Sequence, residues 1–242
     1  MARKGRSREK QPLPPPLPPE TRTVGQLVAE SIRFYGAHFW RCLALGIGPA
    51  VITVVGYEVG RNAALAAVAV GWLLLVTASY VGACAMVAGG PVKRETLRRA
   101  YVIGVVVALP APLLSTFLLL PAVAWLAYVG LSVPATVLED LGPREAFARG
   151  RALARADYIH AFGSLAALAL VVFLTQVLLF ALLHSGSQQA NEVAGFLASL
   201  VISPLLFVGG ALLYFDQAAR ITLPPTAKRS RDADVSHAHH PH

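Results

Sequence analysis

The sequence predicts an all-α fold, a polytopic integral membrane helical bundle with six transmembrane helices plus two amphipathic interfacial helices. Three observations predict it. Of 242 residues, 55% are hydrophobic and only 14% charged, with a mean hydropathy of +0.57; a water-facing domain carries about a quarter charged residues. The charges are also segregated, leaving uncharged runs at 42–57, 62–92, 100–138, 158–191 and 193–215, against the roughly 20 apolar residues a membrane helix needs. Finally, six crossings place every one of the 21 Lys and Arg residues except Arg61 on one side of the bilayer, as the positive-inside rule asks.

Residues 1–22 read as a disordered cytoplasmic tail. Arg3, Lys4, Arg6, Arg8 and Lys10 form a basic cluster, followed by a proline-rich spacer from Gln11 to Glu20 of extended character. No apolar segment in the first 37 residues is long enough for a signal-peptide core, so insertion is expected through the first membrane helix. The membrane domain is expected over 23–216. Thr23 and Gln26 have capping-box spacing, and Val24, Leu27, Val28, Ile32 and Tyr35 recur at helical spacing, predicting a first interfacial helix. It runs into His38-Phe39-Trp40-Arg41, a belt suited to headgroup depth. Spans are predicted at about 39–59 and 63–89, joined by a tight turn at Glu58, Arg61 and Asn62, with Lys93, Arg94, Glu95, Arg98 and Arg99 closing the second.

The uncharged run 100–138 is too long for one span and has no polar break. A single span would place Arg144, Arg149, Arg151 and Arg155 outside, so loop charge favours a hairpin, with spans of about 101–118 and 120–138. Pro110, Pro112 and Pro121 offer places to turn. Residues 141–157 then form a second interfacial helix, with Pro143 in its first turn. The fifth span is predicted at about 160–183, followed by a polar loop from His184 to Glu192. The sixth is about 193–215, and a disordered cytoplasmic tail covers 217–242, ending His-Ala-His-His-Pro-His. The stretches 23–89 and 141–215 echo one another, each an amphipathic helix, a bulky pair and a membrane hairpin.

The middle of every predicted span lacks Asp, Glu, Lys, Arg and His. Such groups are costly in hydrocarbon and mark ion pathways or intramembrane catalysis where they occur. Thr77, Ser79, Ser115, Thr116, Thr175, Gln176 and Ser203 are the polar residues inside the spans, each able to bond the backbone or a neighbouring helix. Gly56, Gly60, Ala67, Gly71, Ala78 and Gly82 include pairs four apart that let helices approach closely. Cys42 and Cys84, each alone in an apolar run, have no disulfide or metal spacing. The terminal histidines could bind Ni or Zn, but no cofactor and no structural metal site is expected. The net charge of +8 follows from topology and calls for no nucleic acid.

Candidate lipid-headgroup contacts are Arg144, Arg151, Arg155, Arg33 and Arg41. The first three are 7 and 4 residues apart, within about 40° of one another on a helix, and guanidinium groups at headgroup depth bind phosphate.

The segments TVGQLVAESIRFYGAHFW (23–40), LSVPATVLEDLGPREAFARGRALARADYIHAFGSL (131–165) and LLYFDQAARI (212–221) resemble the membrane domain of glycerophosphoryl diester phosphodiesterases, a domain that also occurs alone in bacterial proteins. The shared marks are the amphipathic lead-in helix, the Pro134 to Glu139 junction, the basic helix opened by Gly142-Pro143, and Phe215-Asp216 before Arg220. In members with phosphodiesterase activity, catalysis belongs to a separate soluble barrel with paired carboxylates, histidines and a metal, for which this chain has no room. The resemblance implies the fold and the membrane setting, and carries no activity over. The expectation is a non-enzymatic protein of the bacterial plasma (inner) membrane with both termini cytoplasmic. It would bind anionic headgroups, or scaffold or regulate a membrane protein partner. The alternative is a transporter or exporter of a small apolar or lipid-like molecule. The residues fix no oligomeric state.

Overall fold

The structure, a computed structural model, describes residues 22–58, 69–117, 119–183 and 187–222. The basic and proline-rich segment, the Arg61-Asn62 turn, Gly60, Ala67 and the terminal histidines lie outside the described residues, as do the side chains of Ser115 and Thr116. The described elements are all helical: α1 Val24–Ala37, α2 Phe39–Leu45 and α3 Ile47–Glu58, then α4 Ala69–Val87, which contains a π turn at Trp72–Val76. Next come α5 Arg94–Ala108, α6 Ala111–Phe117, α7 Leu119–Val129, α8 Ser132–Glu139, α9 Pro143–Ala156, α10 Tyr158–Leu183 and α11 Gln188–Thr222.

Among the described residues five helices are long and apolar enough to cross a membrane, and a sixth crossing results if the bent pair α1 with Phe39–Val55 is one span. The stretch Tyr158–Leu182 carries the outward signature of a lipid-facing helix. Its most apolar 18 residues have a mean hydropathy of 2.7 and only 11% of them are buried, with Ile159, Leu170, Phe173, Leu178 and Leu182 of the stretch exposed. In water such a surface would drive aggregation; in hydrocarbon it needs no cover. By contrast 67% of the most apolar 18 residues of Leu120–Glu139 and 56% of those of α11 are buried, so these form the axis around which the others pack.

The capping box opens α1: Thr23 N–H donates to Gln26 Oε1 at 2.8 Å and Gln26 N–H to Thr23 Oγ1 at 3.4 Å. At His38 the chain turns by 105° into Phe39–Val55, so α1 lies nearly perpendicular to the helix that follows it, a turn compatible with an interfacial α1. Its inner face differs from the expected stripe. Leu27 and Ser31 are buried while Ile32 is 53% exposed, because α1 packs on α10 and α11, and Gly209 of α11 leaves space for Ser31. Tyr35 reaches the same helix, donating its hydroxyl to the Val201 carbonyl at 2.8 Å.

The segment 100–138 is a hairpin, as loop charge requires. Lys93 before α5 lies 3.3 Å from Asp140 after α8, which puts both arms' ends at the same end of the bundle. Helix α5 stops at Leu109-Pro110, and the Trp125 indole crosses from the return arm to the Val107 carbonyl beside that break at 2.8 Å.

Three boundaries differ from the sequence expectation. Ser187 caps α11 by accepting from Ala190 N–H at 3.3 Å, so residues 188–192, expected as loop, are helical. At the other end α11 continues to Thr222 with Gln217 and Arg220 buried, so 217–222 belongs to the bundle and not to a tail. Arg22, also assigned to a tail, is 8% exposed. At 35 residues and about 1.5 Å per residue, α11 outreaches a hydrocarbon core of about 30 Å, so its charged last turns have room beyond the apolar slab.

Candidate functional site

Helix α9 opens with Pro143 in its first turn, where no intrahelical N–H is required, and the Gly142 N–H donates to Glu145 Oε2 at 3.3 Å. Its buried face is Ala146, Gly150, Leu153 and Ala154. Those small residues bring α9 onto the α8 backbone: a Cβ at Gly150 would lie 2.7 Å from Ser132 N. Arg144, Arg151 and Arg155 share the exposed side. Arg155 Nη2 donates to the Tyr128 hydroxyl at 3.3 Å. Arg149 is different, since its Nε donates to Glu139 Oε1 at 2.9 Å, and Glu139 also accepts the Tyr214 hydroxyl. Of the four arginines of α9, three face outward together and one ties α8, α9 and α11.

Arg33 and Arg41 are exposed as well, on α1 and α2. Arg33 sits on α1, 3.8 Å from Glu30. Arg41, on α2, borders a cleft of about 550 Å³ with His38, Met86 and Gly89. Gly89 there adopts a φ of +69°, a conformation that favours glycine, which lets the chain leave α4 directly. The five candidate arginines therefore form an α9 group and two separate positions.

Sequence reasoning missed an ionic cluster where α1, α9, α10 and α11 meet. Arg22 Nη1 lies 3.1 Å from Asp216 Oδ1, with Asp216 fully buried. Asp216 Oδ2 is 3.8 Å from His160 Nε2. Arg220 Nη1 donates to Asp157 Oδ2 and its Nη2 to the Arg22 carbonyl, both at 2.7 Å. Gln217 Nε2 reaches the Asp157 carbonyl at 3.3 Å, and Asp157 Oδ1 accepts from His160 N–H at 3.1 Å. The available signal was Asp157 and Asp216 themselves, acids on the side where orientation asks only for bases.

A second polar tie holds the α5–α8 hairpin. Asp140 has a φ of +52°, which Asp tolerates at a helix end. It accepts from Thr96 Oγ1 at 2.5 Å and Lys93 Nζ at 3.3 Å. The Thr96 hydrogen bond first, and Lys93 with Arg99 after it, hold the Asp140 carboxyl below its ordinary value.

Within the spans, Gln176 Nε2 donates to Ser203 Oγ at 3.0 Å across α10 and α11. Thr53 and Thr175 return their hydroxyls to the carbonyl four residues earlier. Thr77 does not: it is buried and its Oγ1 has no hydrogen-bond partner. No group of three His, Cys, Asp or Glu side chains that could hold a metal occurs among the described residues.

Comparison of the chain with known protein families, with curated proteins and with solved structures finds no match. The apolar spans and their lipid-facing exposure define the class: a helical, multi-pass membrane protein.

Proposed function

We propose that this chain is a non-enzymatic protein of the bacterial plasma membrane, both ends cytoplasmic, that holds anionic lipid headgroups through α9. The observation that carries this reading is the division of labour on α9. Arg144, Arg151 and Arg155 share an exposed side while Ala146, Gly150, Leu153 and Ala154 seat the helix on the bundle. Guanidinium groups pair with phosphate oxygens through forked N–H donors, and three at one depth offer a phosphate several partners at once. Orientation follows from the positive-inside rule, since Lys93, Arg149, Arg22 and Arg220 all sit at the end of the bundle where α9 lies.

The test is phosphatidylglycerol binding by the purified protein in nanodiscs, comparing wild type with Arg144→Gln/Arg151→Gln/Arg155→Gln. At about 1 kcal/mol per arginine near a membrane surface, the triple variant should bind about a hundredfold more weakly. Arg33→Gln should bind like wild type. All four side chains are exposed, so folding should survive. Undiminished phosphatidylglycerol binding by the triple variant would sink the proposal.

A further inference from the structure

The arginine row of α9 is unevenly spaced. Arg151 follows Arg144 by seven positions and Arg155 follows Arg151 by four. At about 1.5 Å per residue, the first two stand about 10 Å apart along the helix and the last two about 6 Å. Ala148 falls between Arg144 and Arg151, about 40° from Arg144 around the axis, and it is exposed. The row therefore has one guanidinium at its first end, a gap floored by a methyl group, and two guanidiniums at its second end.

None of these three charges is neutralised within the described fold. Arg98 and Arg99 take Glu95, and Arg149 takes Glu139. Among the described residues no Asp or Glu lies within ion-pair distance of Arg144, Arg151 or Arg155. Glu145, the next residue after Arg144, turns back to accept the Gly142 N–H at 3.3 Å. Arg155 is steadied by a neutral partner, the Tyr128 hydroxyl of α7 at 3.3 Å, which sets the paired end against a membrane helix without cancelling its charge.

We infer that α9 recognises a lipid bearing two phosphates joined by a short neutral bridge, the headgroup chemistry of cardiolipin. One phosphate meets Arg144, the other meets Arg151 and Arg155, and the bridge passes over Ala148. The inference rests on the headgroup reading of α9 proposed above and names the class of lipid. The long arginine stems let the forked donors lean inward over the gap. Two separate monophosphate lipids would each lose their own freedom on binding and would bring two like charges together across the gap. In the bridged lipid the covalent link has already brought the phosphates together, and the second contact is intramolecular.

The test titrates the full chain in micelles with tetraoleoyl cardiolipin or dioleoylphosphatidylglycerol, counting bound lipid by native mass spectrometry. Wild type should hold one cardiolipin where it holds two phosphatidylglycerols. Cardiolipin should bind about fivefold more tightly than the first phosphatidylglycerol, the weight of one further arginine near a membrane surface. Arg144→Gln should erase that margin, while the first phosphatidylglycerol, held by Arg151 and Arg155, binds as in wild type. Ala148→Leu, which fills the gap and keeps every arginine, should weaken cardiolipin and retain both phosphatidylglycerols. The four acyl chains of cardiolipin are the same in every arm, so a preference for chains alone would persist in both variants. Equal affinity of wild type for the two lipids, or a cardiolipin margin that survives Arg144→Gln or Ala148→Leu, would overturn the inference. Equal affinity together with phosphatidylglycerol binding that Arg144→Gln/Arg151→Gln/Arg155→Gln loses would remove the bridged lipid and leave the headgroup reading standing.

Discussion

The pair Arg22–Asp216 offers the sharpest test of how this fold is held. Asp216 is fully buried and its Oδ1 lies 3.1 Å from Arg22 Nη1, whose side chain is 9% exposed. Removing one partner of a buried pair typically costs about 3–5 kcal/mol, since it strands the other charge, whereas replacing both by apolar groups of similar size is often near neutral. The two single variants should differ. Arg22→Met removes the 3.1 Å partner of a fully buried carboxylate that also has His160 Nε2 at 3.8 Å, so the upper part of that range applies. Asp216→Leu leaves a long side chain whose aliphatic stem lets its charge reach toward water, so its cost should be about 1–2 kcal/mol less. The double variant should lie well short of the sum, giving a coupling of about 2 kcal/mol or more. Unfolding free energies in micelles supply the cycle, and hydrogen exchange of α1 supplies its location, because Arg22 immediately precedes the Thr23 cap. Additive single costs, or α1 protection unchanged in Arg22→Met, would refute the reasoning.

Gly46 should tolerate no side chain: a Cβ there would lie 2.9 Å from Leu200 Cα. Gly46→Val should therefore cost about 3 kcal/mol through displaced backbone, seen as a large fall in melting temperature in micelles. Thr96→Val should raise the Asp140 pKa, because its hydrogen bond is the first cause of the depression. A lowered folded-state value means stability that is present above the ordinary carboxylate range and lost as pH falls through the folded value. The variant should accordingly loosen the α5–α8 hairpin at higher pH than wild type, read by hydrogen exchange of α8 across an acid series. Gln176→Leu removes the bond to Ser203. Interhelical hydrogen bonds in membranes average about 0.6 kcal/mol, so its unfolding free energy should change by less than about 1 kcal/mol.

Much of this architecture is legible in the sequence because hydrocarbon is an unforgiving solvent. A run such as 158–183 has no other stable home, and the Thr23–Gln26 capping box and the Pro143 start are local signals that need no tertiary context. The hairpin within 100–138 was legible only through charge, since Leu109-Pro110 marks the break but does not say which way the chain goes. What escaped notice depended on contacts distant in sequence. Arg22 and Asp216 are separated by 194 positions, and each resembled a solvated boundary charge. Ile32 fitted the apolar stripe of α1, yet Ser31 is the residue facing Gly209, because α1 rests on two helices and not on lipid alone. Among the candidate headgroup contacts, the 7 and 4 spacing of Arg144, Arg151 and Arg155 carried enough information to place them on one side. Arg33 and Arg41 lie on α1 and α2 and share no such spacing with them. The unpartnered Thr77 hydroxyl was illegible because a π turn is a property of packing.

The distribution of polar contacts follows from what apolar packing cannot do in a bilayer. Lipid tails satisfy a leucine as well as another helix does, so burial alone gives little preference for one helix register over its neighbours. Register must come from contacts with direction. Two kinds serve here. Close backbone approach fixes Gly46 against Leu200 and Gly150 against Ser132, where a shift of one residue would bring side chain onto backbone. Charged and hydrogen-bonded ties fix the helix ends: Asp140 joins α8 to α5, Glu139 joins α9 to α11, and Asp157 joins the α9–α10 corner to α11. Both amphipathic helices are thereby referred to α11, α1 through Arg22 and α9 through Asp157. The end of α9 therefore cannot lift from the bundle without breaking the 2.7 Å contact between Arg220 and Asp157, which leaves its outward arginines on a fixed platform. A fixed platform loses less side-chain and backbone freedom when it meets a phosphate than a mobile segment would, so the same ties that set the register would also favour the headgroup contacts proposed for α9.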